Sequence, residues 1–206
     1  MSGYGRRGSA WFQAEGDVAA SFIFTPDAKR TTLAQLSYVA ALSVADAITI
    51  CTKGVDVSMK WPNDVLIDGK KIAGILLELL AGDDPVIVLG VGVNIVSIPA
   101  EVDYPVARLI DYASGATHAP LDFIEQLDAA FSHWTDVWCK EGFVAIKRHW
   151  LERAARLGEE IIVRLPEEEK VGFFKGISDD GALILATGKG DELITAGAVF
   201  FGQTTP

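Results

Sequence analysis

The chain has 206 residues, half of them hydrophobic and 22% charged, enough for one good core plus a small satellite and too apolar for a disordered polypeptide. Its net charge of −10 argues against a protein whose main partner is duplex DNA or RNA, because phosphate backbones reward a basic surface. The cysteines, Cys51 and Cys139, lie far apart with no CxxC spacing, and His118, His133 and His149 show no HExxH or i,i+4 pairing, so neither a disulfide framework nor a zinc site is expected.

Residues 1–16 read as a glycine- and arginine-rich loop with no element before it. A strand is predicted at Val18–Phe24, closed by Thr25-Pro26-Asp27. Thr31 or Thr32 is placed to cap a helix running to about Thr52, apolar around most of its circumference and therefore expected to be buried. Strands follow at Val55–Lys60, Val65–Ile67, Lys71–Leu80 and Val86–Ile95, with Asp68-Gly69 a strong two-residue hairpin signal.

Two helices come next. One starts near Leu121 and carries Phe123, Ile124, Leu127, Phe131, Trp134 and Trp138 on a stripe; the other follows Gly142. Aromatics at helical spacing read as core packing rather than a cofactor cage. From Glu160 the texture changes to short strands at Ile161–Leu165, Val171–Ile177, Ala182–Ala186, Glu192–Thr195 and Val199–Phe201, the pattern of a small SH3-like or OB-like barrel. The expected class is α+β, with a mixed, mostly antiparallel sheet packed against helices, and a boundary near Leu157-Gly158. With no signal peptide pattern and no run of about 18 uninterrupted apolar residues, a soluble cytoplasmic protein without a membrane partner is expected.

Against the acidic background, five of the 18 basic residues cluster: Arg6 and Arg7 in one window, and Lys60, Lys70 and Lys71 in another. Gly3-Tyr4-Gly5-Arg6-Arg7-Gly8 has the form GxGxxG, but the dinucleotide fingerprint needs a strand before it and a helix after it, and this segment has neither. The better reading is a glycine loop presenting guanidinium donors to phosphate or carboxylate oxygens, against the plainer alternative of a solvated basic segment. Met59 to Leu76 places cations on both arms of a hairpin around Pro62-Asn63-Asp64, and Gly74 among bulky neighbours suggests close approach by a ligand or backbone. Those lysines could equally be edge-strand gatekeepers, and Gly90-Val91-Gly92-Val93-Asn94 is as readily a bulge as a site.

Together these blocks resemble the biotin–protein ligases: Lys60-Trp61-Pro62-Asn63-Asp64 with Lys71-Ile72-Ala73-Gly74-Ile75-Leu76, Gly5-Arg6-Arg7-Gly8 with Trp11, and Gly90 to Asn94, in the family's order. Lys175-Gly176-Ile177 through Gly181-Ala182-Leu183, and Ala196 to Val199, look like the family's C-terminal barrel. The resemblance implies a class II synthetase-like ligase domain over 1–157 and a barrel domain over 158–206. It implies that biotin and ATP, with Mg²⁺, give biotinoyl-5′-AMP, and that biotin then passes to a lysine of a biotin carboxyl carrier domain. Two neighbouring readings are a lipoate or octanoyl ligase or transferase of related fold, and an inactive truncated pseudo-ligase. A homodimer is left open.

Carried over by position, Tyr4, Gly5, Arg6, Lys71 and Gly74 would line biotin, while Arg7, Trp11, Lys60, Asn63 and Asn94 would hold ATP. Arg6, Lys71 and Lys60 would stabilise the reacting phosphate, and Asp64 would meet Mg²⁺. Tyr4 stands where the family often has Arg. Family catalytic domains also begin earlier, with a Ser-Thr-Asn segment and a Gln before the loop, so the domain is expected to lack its N-terminal part.

Overall fold

The computed structural model describes residues 3–5, 10–12, 14–26, 30–52, 54–80, 86–99, 102, 104–113 and 119–201. Gly3–Tyr4 (β1) and Ala10–Trp11 (β2) pair antiparallel, Gly3 opposite Trp11, so the opening segment is a small hairpin rather than loop throughout. Val18–Phe24 (β3) follows, with Val18 buried and Phe22 and Phe24 turned towards Phe131.

The predicted first helix begins as a 3-10 segment, Arg30–Gln35, and becomes α-helical only over Leu36–Cys51 (α1). Its N-cap is Gln35, without a side-chain cap bond, so the expected threonine cap is corrected: the 3-10 turn leads directly into the helix. Nearly every face of α1 is buried, including Leu42, Val44, Ala45 and Ile48. Thr32–Cys51 is long and apolar enough to cross a bilayer by composition, yet 67% of the apolar window is buried inside the protein, as a central core helix requires.

Val57–Lys60 (β4), Asp64–Ile67 (β5), Lys70–Leu80 (β6) and Val86–Val93 (β7) join β3 in an antiparallel sheet of order β3-β7-β6-β5-β4. At the β5–β6 turn Asp68 and Gly69 have φ of 47° and 73°, the left-handed pair that a tight hairpin needs. In β7, Ile87, Leu89, Val91 and Val93 point into the core and Gly90 and Gly92 alternate to the other face, with an unbroken register to β6. The sheet therefore covers α1 with one face and offers a glycine-lined surface on the other.

Pro120–Glu141 (α2) and Phe143–Glu152 (α3) pack against α1, and α2 also reaches β3 through Phe131. Phe123, Leu127, Trp134 and Trp138 of the predicted stripe are buried. Replacing a fully buried side chain here, such as Phe123, by alanine is expected to cost about 3–5 kcal/mol.

The remaining strands, Glu160–Arg164 (β8), Glu169–Ile177 (β9), Leu183–Thr187 (β10), Gly190–Ile194 (β11) and Ala198–Phe200 (β12), form a second antiparallel sheet of order β11-β10-β9-β8-β12, consistent with the small barrel expected. The connector before it runs along β4: Met59 N–H donates to Arg153 O at 2.8 Å and Ala155 N–H to Met59 O at 2.8 Å. Further up, Trp61 Nε1 donates to Tyr38 Oη at 3.0 Å, and Tyr38 Oη donates to Gly181 O. These contacts seat the C-terminal sheet beside the β4–β5 turn.

Candidate active site

The β4–β5 turn, Trp61-Pro62-Asn63, is fastened to β6 by two bonds. Asn63 Nδ2 donates to Ile75 O at 2.7 Å, and Ile75 N–H donates to Asn63 O at 2.9 Å. Asn63 thus fixes the turn rather than merely decorating it. Immediately below, Lys60 and Asp64 are register partners.

Between Val65 and Leu66 the β5–β6 register shifts: Val65 lies opposite Ala73, but Leu66 lies opposite Lys71. This bulge breaks the alternation of β6. Lys71 and Gly74, three residues apart, consequently share one face, and a methyl group built on Gly74 would stand 3.6 Å from Lys71 Nζ. Lys71 also takes its backbone partners from outside the sheet, its N–H donating to Pro105 O and its C=O accepting from Ala107 N–H, both at 2.9 Å.

The Lys71 ammonium lies 2.6 Å from Asp64 Oδ1, with the rings of Tyr104 and Trp11 centred 5.4 and 5.9 Å away. Lys60 Nζ is 3.8 Å from Asp64 Oδ2, and each lysine side chain is 18% exposed. Two cations thus share one carboxylate in a partly dry recess. Burial pulls the Lys60 ammonium below its ordinary pKa, Asp64 opposes this, and the nearby Lys71 charge adds to it. Lys70, by contrast, is exposed, and β6 is an inner strand of the sheet, so the edge-strand gatekeeper reading fits neither Lys70 nor Lys71.

Trp11 supplies the roof of this recess. Gly74 and Gly92 are register partners on adjacent strands, and the indole lies over both. A methyl on Gly92 would come within 2.2 Å of Trp11 Cε2, and one on Gly74 within 3.0 Å of Cζ3. The close approach anticipated at Gly74 is made here by the chain's own indole, and Gly90 to Val93 is regular strand, not a bulge.

Asn94 follows β7 and is buried. Its Nδ2 donates to Ala107 O at 3.1 Å, its N–H to Ile72 O and its C=O accepts from Leu109 N–H, both at 2.9 Å. It braces the segment that holds Lys71. The side chain of Tyr4, and Arg6, Arg7 and Gly8 entirely, lie outside the described residues, whereas Gly5 is described and half-buried.

Several participants were not singled out from sequence. Tyr104 has no local signature, and Phe200 and Phe201 looked like an ordinary strand end although their rings centre 5.7 and 5.4 Å from Lys60 Nζ. Asp17 is another. Its carboxylate is buried and accepts from the N–H groups of Ala14, Ile95, Val96 and Ser97 at 2.9–3.2 Å, and from Ser97 Oγ.

Residues 1–94 match the family model described as the biotin/lipoate A/B protein ligase family, and residues 157–202 that of the biotin protein ligase C terminal domain. A biotin–[acetyl-CoA-carboxylase] ligase of Paracoccus denitrificans is 42% identical over 98% of this chain and 87% of its own length. The chain belongs to the biotin–protein ligase family. A bifunctional ligase/repressor of Bacillus subtilis is 31% identical across 98% of this biotin–protein ligase homologue, which spans 63% of that relative. Among solved structures, the biotin protein ligase of Aquifex aeolicus in complex with biotin and ATP superposes with a TM-score of 0.82 at 29% identity, covering 96% of this chain and 83% of the other. Family membership accounts for the two antiparallel sheets and their helices. The roles of individual side chains rest on the geometry.

Proposed function

We propose that this chain activates biotin with ATP to form biotinoyl-5′-AMP and transfers the biotinoyl group to a lysine of a biotin carboxyl carrier domain. The observation that carries the reading is the pair of lysines sharing Asp64 beside an indole-roofed glycine floor. In the first step a biotin carboxylate oxygen attacks the α-phosphorus, an O–P bond forms, and the bond to the β-phosphate breaks as pyrophosphate leaves. Two anions must touch, so the site needs fixed positive charge more than a side-chain nucleophile. On this reading Lys71, beside the glycine floor, meets the carboxylate–phosphate junction, and Lys60, across Asp64, meets the departing phosphates.

Arg6 and Tyr4-Gly5 belong to the same proposal as the loop edge around biotin and the α-phosphate, with Arg7 beside the nucleotide. The Gly74 and Gly92 floor is covered by the Trp11 indole, and the reading puts Trp11 and Asn94 on the nucleotide side. In the second step the carrier's neutral lysine amine attacks the acyl carbon, the amide forms and AMP leaves with the electron pair of the broken C–O bond.

Mg²⁺ would arrive with the nucleotide phosphates. Asp64 turns one oxygen to each lysine, and among the described residues no group of three His, Cys, Asp or Glu side chains comes together. The described protein groups therefore form no metal cage of their own. The division into 1–157 and 158–206 and a cytoplasmic location are parts of the same reading. The test supplies ATP with biotin or lipoate and an apo-carrier domain, and follows pyrophosphate exchange and carrier mass. Biotin-dependent exchange and a biotinoyl mass increment are expected; a lipoyl increment alone, or no exchange, would overturn the proposal.

A further inference from the structure

Lys60 sits in surroundings no solvated surface lysine has. Its ammonium faces the rings of Phe200 and Phe201 at 5.7 and 5.4 Å, and Asp64 on its other side. Phe200 ends β12 and Phe201 follows it, so both rings come from the C-terminal sheet, brought there by the connector along β4.

The same rings carry further cations. The Arg164 guanidinium lies 4.1 Å from the Phe200 centroid and that of Arg156 lies 5.4 Å from Phe201. Glu169 holds Arg164 at 2.6 Å and Glu159 holds Arg156 at 2.5 Å. The charges around Lys60 are therefore Asp64 from β5, Lys71 from β6, Arg164 from β8, Arg156 from the connector, and the carboxylates of those two arginines.

An ammonium that rests against aromatic faces is held in place without being neutralised, and out of water its field falls off less steeply. Such a cation serves a reaction in which negative charge builds on a leaving pyrophosphate. It has no such task once pyrophosphate has gone. We propose that Phe200 and Phe201 are positioning residues for adenylation, holding the Lys60 ammonium dry and aimed at the nucleotide phosphates, so that the C-terminal sheet acts on the first step and not on carrier transfer. This rests on reading the site as an adenylating centre. Burial as the leading cause of the lowered Lys60 pKa agrees with the aromatic cover.

The experiment uses the whole chain with Phe200→Leu and Phe201→Leu together, which keeps apolar bulk and removes the ring faces, and Phe200→Tyr with Phe201→Tyr as the conservative rescue. Biotin-dependent ATP–pyrophosphate exchange is measured across ATP concentrations, and transfer to the apo-carrier is measured separately from preformed biotinoyl-AMP. The leucine pair is expected to lower kcat/KM for ATP by about two- to thirty-fold, the span of a desolvated cation–aromatic contact. Transfer should be unchanged, and the tyrosine pair should restore exchange.

Equal losses in both steps, an unchanged exchange rate or a tyrosine pair no better than the leucine pair would each overturn the inference while leaving the ligase reading intact. A parent chain without biotin-dependent exchange would overturn both.

Discussion

Gly92 and Gly74 face the same indole at different distances, and that difference can be measured. A methyl group on Gly92 would stand 2.2, 2.4 and 2.7 Å from Trp11 Cε2, Cζ2 and Nε1, whereas on Gly74 the nearest atom is Cζ3 at 3.0 Å. Ordinary carbon contacts begin near about 3.5 Å, so Gly92→Ala must lift the ring by roughly 1.3 Å and Gly74→Ala by roughly 0.5 Å. Trp11 lies on a two-residue strand at the edge of the recess, so it can swing away without disturbing the core. Gly92→Ala should therefore keep its fold and lose its aromatic roof. Losing one aromatic contact is worth about 0.5–1.5 kcal/mol, or about two- to twelve-fold in KM for ATP. Gly74→Ala should stay within about two-fold, because a half-ångström shift keeps most of that contact. The assay is ATP–pyrophosphate exchange for Gly92→Ala, Trp11→Ala and the double variant. If the methyl acts by displacing the indole, the double variant is no worse than Trp11→Ala; additive losses, or a larger loss from Gly74→Ala than from Gly92→Ala, would refute the reasoning.

Other outcomes follow from the same geometry. Lys71→Ala should lower adenylation by about 10²–10³-fold, the cost of losing one preorganised electrostatic contact, with an unchanged far-ultraviolet spectrum and melting curve; parent-like turnover would remove Lys71 from the chemistry. Burial alone would raise the Asp17 pKa, but hydrogen bonds from Ser97, Val96 and Ala14 outweigh it and hold the carboxyl below its ordinary value. Its contribution is thus present above the unfolded pKa of about 3.9 and is lost as pH falls through the lower folded value. Asp17→Ala should therefore destabilise by about 2–4 kcal/mol at pH 7, and denaturant titrations should find the gap to the parent narrowing as pH falls below about 4. Gly181 has φ of +82° and a methyl there would sit 2.9 Å from Tyr38 Cε2, so Gly181→Ala should lower Tm by several degrees and loosen the C-terminal sheet, read by amide exchange in β10.

The elements were legible because the chain punctuates itself: alternation in Val18–Phe24, the left-handed Asp68-Gly69 pair, and the apolar stripe from Phe123 to Trp138 each state their period locally. The helix start was not legible, since Thr31 and Thr32 have cap chemistry but the chain runs through a 3-10 turn to Gln35 instead. In the site, Lys60 and Lys71 were readable as cations flanking a turn. Their shared face with Gly74 depends on a register shift between Val65 and Leu66, which no residue spacing announces. Tyr104, Phe200 and Phe201 arrive from 33 to 141 residues away in sequence, so no local pattern could have pointed to them.

The bulge also explains why the two lysines are not interchangeable. Lys60 projects from a regular register position opposite Asp64, towards the C-terminal sheet and its two phenylalanines. Lys71 is turned by the shifted register towards Trp11 and Tyr104, with its backbone tied to Pro105 and Ala107 rather than to a neighbouring strand of the sheet. Asp64 sits between them and orients both, at 2.6 Å from one and 3.8 Å from the other. Asp64→Asn removes that shared anion while keeping its shape. Two ammonium groups would then face each other with no counter-charge, so their repulsion should spread them and lower the pKa of Lys60 still further. Adenylation should fall and its alkaline limb should move to lower pH. A variant whose pH profile moved upward would mean that Asp64 does not hold the pair together.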